Sequence, residues 1–220
     1  MTNNTLSIAV LGGTGKEGSG LAMRWAMQGR SVIIGSRDAE RAAAHAAEMN
    51  TRPGITSVRG LGNPEAARSA DVVVLSVPYS AHQATLEGVK AELSGKILVD
   101  ITVPLQPPKV RTVHIPEGKS AALEAQAMLG ESVRVVAAFQ NVSAEHLSDP
   151  DHQIDCDVLV AGNDAEAKRS VIELVELTGM RGVDAGSLAN AVAVEALTPV
   201  LLYINKAYGI KGSGIRITGI

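Results

Sequence analysis

The 220-residue sequence is poor in aromatic residues, has one cysteine and carries no excess of basic charge. Because aromatic residues make up only 2% of the chain, the stacking platforms that bind single-stranded nucleic acid are not expected. The net charge of −3 argues against nucleic acid or an anionic membrane as a partner. The single cysteine, Cys156, excludes an internal disulfide and a thiolate metal cluster, and we expect it to be a small buried residue.

We expect no stretch of the sequence to be a targeting or membrane segment. Residues 1–6 have neither a basic region nor a long apolar core, so we expect a cytoplasmic protein without a signal peptide. Residues 187–208 are apolar over the length of a membrane span, but Asn190, Glu195 and Pro199 within them favour a buried helix of a soluble domain.

A glycine-rich turn near the N terminus is the first motif with a chemical meaning. An apolar run over residues 8–11 leads into Gly13-x-Gly15-x-x-Gly18, and a helical pattern follows it. Gly13 permits a sharp turn, Gly15 lets the backbone approach a pyrophosphate, and Gly18 lets the helix pack closely on the sheet. This strand–turn–helix order favours dinucleotide binding over a plain tight turn, with the pyrophosphate at the start of the first helix.

Strand and helix signals alternate along the chain after that turn. The predicted strands are residues 31–35, 55–58, 72–77, 96–101 and 133–138, and the predicted helices between them are residues 38–50, 64–70, 80–93 and 120–129. This alternation predicts an α/β fold with a doubly wound parallel sheet, in which residues 1–150 form a Rossmann domain that binds NADP. A further strand–helix–strand pattern over residues 158–183, followed by the apolar helix, predicts a small C-terminal α/β subdomain in residues 151–220. The tail, residues 211–220, is expected to be an edge strand or a flap over a ligand.

The choice between NAD and NADP is indicated at the end of the second predicted strand. An NAD site usually has a carboxylate there, whereas this chain has Ser36 and Arg37. A hydroxyl and a guanidinium suit a 2′-phosphate, and Arg41 follows one helical turn later. We therefore expect NADP rather than NAD, the alternative being a solvated helix start with surface ion pairs.

Several motifs together resemble a known family, the NADP-dependent oxidoreductases of coenzyme F420, a 5-deazaflavin. These motifs are LGGTG at residues 11–15, IGSR at 34–37, VLSVPY at 74–79, VP at 103–104, DAGSLAN at 184–190 and EALTP at 195–199. The resemblance covers nearly the whole chain, and the C-terminal motifs carry most of its weight because they are not general features of Rossmann folds. It implies reversible hydride transfer between NADP(H) and coenzyme F420, in a homodimer.

The resemblance also implies roles for individual residues. Thr14, Gly15, Lys16 and Glu17 would hold the phosphates, Ser36, Arg37 and Arg41 the 2′-phosphate, and Tyr79, Gln83 and Val103 would border the adenosine and nicotinamide halves. The backbone of Ala144 would bind the nicotinamide amide. The deazaflavin would lie against residues 139–143 and the C-terminal tail, and residues 151–220 would contribute to its pocket and to the dimer contact. Some members of the family have a histidine where this chain has Gln140.

The implied reaction requires little side-chain chemistry. Hydride transfer needs two stacked rings and the exclusion of water, so no catalytic residue is predicted. None of the five histidines has metal-ligand spacing, and His82, the nearest to the ligand, is expected to be an ordinary polar histidine. Asp184 and Glu195 are expected to cap a turn and to form a buried hydrogen bond. Two alternatives stay open, an NADPH-dependent reductase of an imine, a flavin or ferric iron, and an NADP-sensing module without turnover.

Overall fold

The structure is a computed structural model that describes residues 6–220. The strands are β1 (Ile8–Leu11), β2 (Val32–Ser36), β3 (Val58–Gly62), β4 (Val72–Leu75), β5 (Ile97–Asp100), β6 (Arg134–Ala137), β7 (Asp157–Gly162) and β8 (Arg181–Asp184). The α-helices are α1 (Lys16–Met27), α2 (Ala39–Met49), α3 (Asn63–Arg68), α4 (Tyr79–Val89), α5 (Ala121–Leu129), α6 (Ala144–Ser148), α7 (Ala165–Glu176) and α8 (Ala191–Tyr208). Short 3₁₀ helices at Lys90–Leu93 and Leu188–Asn190 follow α4 and precede α8.

The described strands form one sheet in the order β3-β2-β1-β4-β5-β6-β7-β8. Strands β1 to β6 are parallel to one another. Helices cover both faces of the sheet, as the alternate residues of β1 show. Ile8 and Val10 belong to an apolar cluster with residues of α1, α2 and α7. Ala9 and Leu11 belong to a second cluster with residues of α3, α4 and α5. The predicted doubly wound α/β fold is confirmed.

The last two strands continue this sheet in the opposite direction. β7 pairs antiparallel with β6, through Val136 with Gly162 and Ala137 with Ala161, and β8 is parallel to β7. A parallel neighbour of β6 would need a crossover across the sheet. The chain between β6 and β7 contains only the five-residue helix α6 and returns from the edge at which β6 ends. The first half of β7 therefore extends beyond the carboxyl edge of the parallel strands.

Local sequence signals account for several of the element boundaries. Gly29 ends α1 with a left-handed φ of 73°, and Asp38 caps α2 by accepting a hydrogen bond from the backbone N–H of Arg41 at 3.0 Å. The third strand begins at Val58, three residues later than predicted, because Asn50 holds the preceding turn through two side-chain bonds to Val58.

The C-terminal helix is long and apolar enough to cross a membrane by length and composition alone, over Leu188–Tyr208 with a mean hydropathy of 1.4. Its Glu195 is only 2% exposed, and both carboxylate oxygens accept backbone N–H groups at the start of α5. A buried acid bound to a neighbouring helix favours a helix of the folded domain. The predicted burial is only partly correct, because the buried residues of α8 are Ala191, Val194, Glu195, Pro199 and Leu201.

Candidate functional site

The turn between β1 and α1 requires glycine at several positions. Gly12 has a left-handed φ of 76°, and a Cβ atom there would lie 2.2 Å from the carbonyl oxygen of Ser76. A Cβ at Gly13 would lie 2.7 Å from the carbonyl oxygen of Val10, and one at Gly18 would lie 2.9 Å from Oγ of Ser76. Gly12, which precedes the G-x-G-x-x-G pattern, therefore makes the sharp turn that was predicted at Gly13, with a left-handed φ.

The first turn of α1 has free backbone donors. Gly15 is the N-cap residue, and no side chain among residues 6–220 forms a capping hydrogen bond there. The free N–H groups and the helix dipole favour an anionic group at this point. Thr14 lies half-buried in the turn. The geometry thus fits the pyrophosphate of a dinucleotide.

A cleft of about 520 Å³ lies beside this turn. Its walls come from the glycine turn, the carboxyl ends of β4, β5 and β6, the start of α6, the middle of α8 and the C-terminal tail. Of the predicted site residues, the cleft brings together Gly15, Lys16, Glu17, Val103 and Ala144. Its other lining residues include Ile101, Gln140, Val142, Thr198, Leu201 and Lys211.

Charged groups of opposite sign face each other across the mouth of this cleft. Lys16, in the first turn of α1, forms an ion pair with Glu145 of α6, and this hydrogen bond and the charge of Lys16 lower the pKa of Glu145. Burial raises the pKa of Glu17 to about 8. Glu17 is therefore largely neutral at pH 7, so it would not repel a phosphate bound at the turn.

A second cavity, of about 400 Å³, lies beside the end of β2. Ser36 and Arg37 line it, together with Asn63 at the start of α3 and Ala81 and Ala84 on one face of α4. Arg41 lies exposed on the first turn of α2 and does not line the cavity. A mostly apolar cavity next to an arginine suits the adenosine end of NADP.

Tyr79 and Gln83 lie on a different face of α4 and line neither of these two cavities. The hydroxyl of Tyr79 donates a hydrogen bond to Glu124 at 2.9 Å, and Nε2 of Gln83 donates to Glu87 at 2.9 Å. The structure therefore does not bring these two predicted residues to the cavities. The residues of α4 that line the second cavity are Ser80, Ala81, Ala84, Thr85, Gly88 and Val89.

A buried polar pair lies behind the cleft. His82 is 2% exposed, Asp100 is fully buried, and Nε2 of His82 lies 2.7 Å from Oδ2 of Asp100. Burial alone would lower the pKa of His82, but the hydrogen bond to Asp100 and nearby carboxylates outweigh it and raise that pKa. Asp100 also receives the backbone N–H of Thr102, which fixes the chain at the end of β5. The sequence analysis did not predict this pairing.

The two acids expected to be structural have that role. Burial raises the pKa of Glu195 to about 8, although the N–H groups of Ala121 and Ala122 partly oppose the effect. Asp184 pairs with Lys168 at 2.7 Å and accepts the backbone N–H of Gly186 at 2.8 Å. Both predictions are confirmed.

The first residues of the C-terminal tail border the cleft, and residues 211–220 form no strand. Lys211 and Ser213 line the cleft, and the N–H of Ser213 donates to Asn205 of α8 at 2.8 Å. Further along, the buried carboxylate of Asp157 accepts the N–H of Ile217 at 2.6 Å. Of the two predicted arrangements, the edge strand is wrong, and a flap over a ligand stays a prediction. Gly214 packs on the buried Cys156, where a Cβ atom would lie 2.8 Å from Sγ.

No group of three or more histidine, cysteine, aspartate or glutamate side chains within residues 6–220 is arranged to hold a metal ion.

The model of the family described as NADP oxidoreductase, coenzyme F420-dependent, matches residues 7–104. An F420-dependent NADP reductase of Methanocaldococcus jannaschii is 45% identical over 98% of this chain and 99% of its own length. The chain belongs to the F420-dependent NADP reductase family.

Two further comparisons agree with this family. A member from Methanothermobacter thermautotrophicus is 42% identical over 98% of this chain and 96% of its own length. The crystal structure of a candidate F420-dependent NADP reductase from Arthrobacter sp. FB24 has a TM-score of 0.81 and 29% identity, and covers 97% of this chain and 100% of that one. The resemblance seen in the sequence motifs is confirmed.

Proposed function

We propose that this protein is an oxidoreductase that transfers a hydride reversibly between NADP(H) and the 5-deazaflavin coenzyme F420. The observation that carries the proposal is the 45% identity to an F420-dependent NADP reductase over nearly the full length of both chains. Full-length similarity matters here because a glycine turn alone is shared by many dinucleotide enzymes.

The residues around the cleft fit NADP(H). The glycine turn leaves room for a pyrophosphate, and the free N–H groups of α1 would bind it. Lys16 would add a cation once it leaves Glu145. Ser36 and Arg37, beside the second cavity, would bind the 2′-phosphate, with Arg41 near by. The dinucleotide would extend from the second cavity past the turn into the cleft.

The chain's own contribution to the reaction is to hold and to shield the two rings. When bound, the nicotinamide and the deazaflavin supply the hydride donor and acceptor, so no side-chain base is required. Ile101, Val103, Val142 and Leu201 give the cleft apolar walls that exclude water. The backbone of Ala144 would hold the nicotinamide amide, and residues 139–143 with the tail would hold the deazaflavin.

Residues 151–220 supply part of the deazaflavin pocket and, in this proposal, the contact of a homodimer. Support for the contact comes from α8, where the large hydrophobic side chains of Val200 and Tyr203 are 44% and 61% exposed. Exposed hydrophobic side chains of this kind often mark a protein–protein interface. Tyr203→Glu is therefore expected to lower the mass measured by light scattering towards that of a monomer. We also propose that the protein acts in the cytoplasm on small redox coenzymes, without a nucleic acid or a membrane as partner.

The proposed reaction is tested by mixing the purified protein with NADPH and oxidised coenzyme F420. Loss of the deazaflavin absorbance, at a rate proportional to protein concentration, is the expected result. No loss of absorbance, together with reduction of an imine, of FMN or of ferric iron, would assign a different acceptor. Tight NADPH binding without reduction of any of these acceptors would indicate a sensing module.

A further inference from the structure

A buried chain of hydrogen bonds joins α4 to the wall of the cleft. Nε2 of His82 lies 2.7 Å from Oδ2 of Asp100, and Oδ1 of Asp100 accepts the backbone N–H of Thr102 at 3.0 Å. His82 itself does not line the cleft, whereas Thr102 and its neighbours Ile101 and Val103 do. The chain therefore connects a side chain outside the cleft to residues that face it.

Asp100 is the junction of this chain. Its backbone oxygen accepts Nε2 of Gln140 at 2.7 Å, so the cleft wall that follows β6 is tied to the same residue. Asp100, Thr102 and Gln140 are all buried. Because protein interiors are close-packed, a shift of the Asp100 carboxylate displaces the groups bonded to it. The position of one side chain thus influences two segments of the cleft wall.

His82 is the side chain that fixes the carboxylate of Asp100. Within residues 6–220, its Nε2 and the N–H of Thr102 are the hydrogen-bond partners of the two carboxylate oxygens. Further acids face His82 from two other helices, Glu124 on α5 and Glu195 on α8. Burial lowers the pKa of His82, but the bond to Asp100 and the nearby acids outweigh it and raise that pKa. This favours the charged imidazole, whose hydrogen bond to a carboxylate is stronger than a neutral one.

We propose that His82 is a positioning residue for the hydride transfer, which acts through Asp100 to hold the end of β5 where the cleft wall keeps the two rings in contact. The inference rests on the proposed function. A displacement of about 1 Å between reacting atoms can slow a reaction about a hundredfold. Ile101 and Val103 flank Thr102, so the bond to the N–H of Thr102 fixes where both apolar side chains lie. His82 touches neither coenzyme in this role and transfers no proton.

Two substitutions of His82 separate positioning from binding. His82→Leu removes the donor to Asp100, whereas His82→Gln keeps an N–H donor on a side chain of similar reach. In stopped-flow single turnovers with saturating NADPH and oxidised coenzyme F420, His82→Leu should transfer the hydride roughly ten- to a hundredfold more slowly. Its dissociation constants for both coenzymes, from fluorescence titrations, should stay within about twofold of the wild-type values. His82→Gln should recover most of the rate.

Hydrogen exchange at the amide of Thr102 gives a second readout, which needs no coenzyme. In His82→Leu this amide should exchange about fivefold faster or more, because its acceptor is no longer fixed, and His82→Gln should restore the protection. Asn50→Ala is the matched control. It removes two side-chain hydrogen bonds to Val58, but Asn50 lines neither cavity, so the transfer rate and the Thr102 amide should not change.

A second variant tests the proposal even if His82→Leu does not fold. His82→Leu leaves the Asp100 carboxylate buried without its partner, which is strongly destabilising. Asp100→Ala removes the carboxylate instead, and the remaining histidine can stay neutral by losing its proton. This variant should show the same slow transfer and the same fast exchange at Thr102.

Three results would overturn the proposal: a wild-type transfer rate in folded His82→Leu or Asp100→Ala, a slow rate that His82→Gln does not recover, or unchanged exchange at the Thr102 amide. Failure of the proposed function gives a different result. If the wild-type protein reduces an imine, FMN or ferric iron but not coenzyme F420, the deazaflavin is the wrong acceptor. The same variants then test His82 with that acceptor, because NADPH is still the hydride donor.

Discussion

Replacing Arg37 with alanine tests the preference for NADP. Arg37 is exposed at the end of β2 and borders the second cavity with Ser36, so its guanidinium can reach a 2′-phosphate but stays in contact with water. A charge-assisted hydrogen bond contributes about 1.5–3 kcal/mol, and solvent screening favours the lower end. Since each 1.4 kcal/mol is about tenfold, Arg37→Ala should weaken NADPH binding roughly tenfold or more. NADH lacks the 2′-phosphate and should bind almost unchanged.

The assay is a fluorescence titration of NADPH and NADH with the wild-type protein and the variant. Arg169→Ala is a matched control, because Arg169 is also an exposed arginine but lies on α7, lines neither cavity, and has Glu166 as its only ion-pair partner within residues 6–220. That variant should leave both affinities unchanged. If Arg37→Ala and the wild-type protein have the same NADPH-to-NADH affinity ratio, the end of β2 does not bind the 2′-phosphate.

Three further variants test other parts of the structure. Glu145→Gln releases Lys16 for the pyrophosphate, so NADPH should bind a few-fold more tightly in titrations at low salt. The increase in affinity should be smaller at high salt, because salt screens the charge of Lys16. Weaker binding of NADPH by the variant would mean that Glu145 positions Lys16. Because the pKa of Glu195 is raised in the folded protein, the folded state keeps a proton that the unfolded state loses. The free energy of unfolding should therefore fall as pH rises from about 4.5 to about 8. Glu195→Gln should flatten this pH dependence in urea titrations, and an equally steep dependence in the variant would contradict the prediction. Gly12→Ala should lower the free energy of unfolding by at least about 1–3 kcal/mol, because it adds a backbone clash to the strain of a positive φ. Gly29→Ala has a similar φ and no described atom within 4 Å of the new Cβ, so it should lower the free energy of unfolding by less. Equal decreases for the two variants would refute the clash.

The parts of the fold that could be predicted depend on local patterns. Buried β-branched runs, the cap at Asp38 and the left-handed Gly29 are determined by residues within a few positions of one another, and the structure agrees with all of them. The reversed direction of β7 depends on the path of a long irregular segment, which has no periodic pattern to read. The order of elements was therefore predictable, whereas the direction of the last two strands was not.

In the candidate site too, short motifs could be predicted from the sequence, whereas contacts between distant residues could not. The glycine turn and Ser36 with Arg37 lie within short motifs, and the structure places them beside the two cavities. The contacts that were missed join residues far apart in sequence, such as Lys16 with Glu145 and His82 with Asp100. Tyr79 and Gln83 lie on a face of α4 that lines neither cavity, and their contact with a bound dinucleotide stays a prediction. Gln140 was recognised as a departure from some relatives, but its hydrogen bond to Asp100 is visible only in the structure.

The most direct test of the proposed reaction follows the hydride itself. The protein is incubated with NADPH that carries deuterium at nicotinamide C4, on the transferring face, and with oxidised coenzyme F420 in ordinary water. Two rings held in contact in a cleft with apolar walls should pass the label directly, so mass spectrometry should find one deuterium in each reduced deazaflavin. Reduced deazaflavin without deuterium, or no reduction at all, would contradict the account.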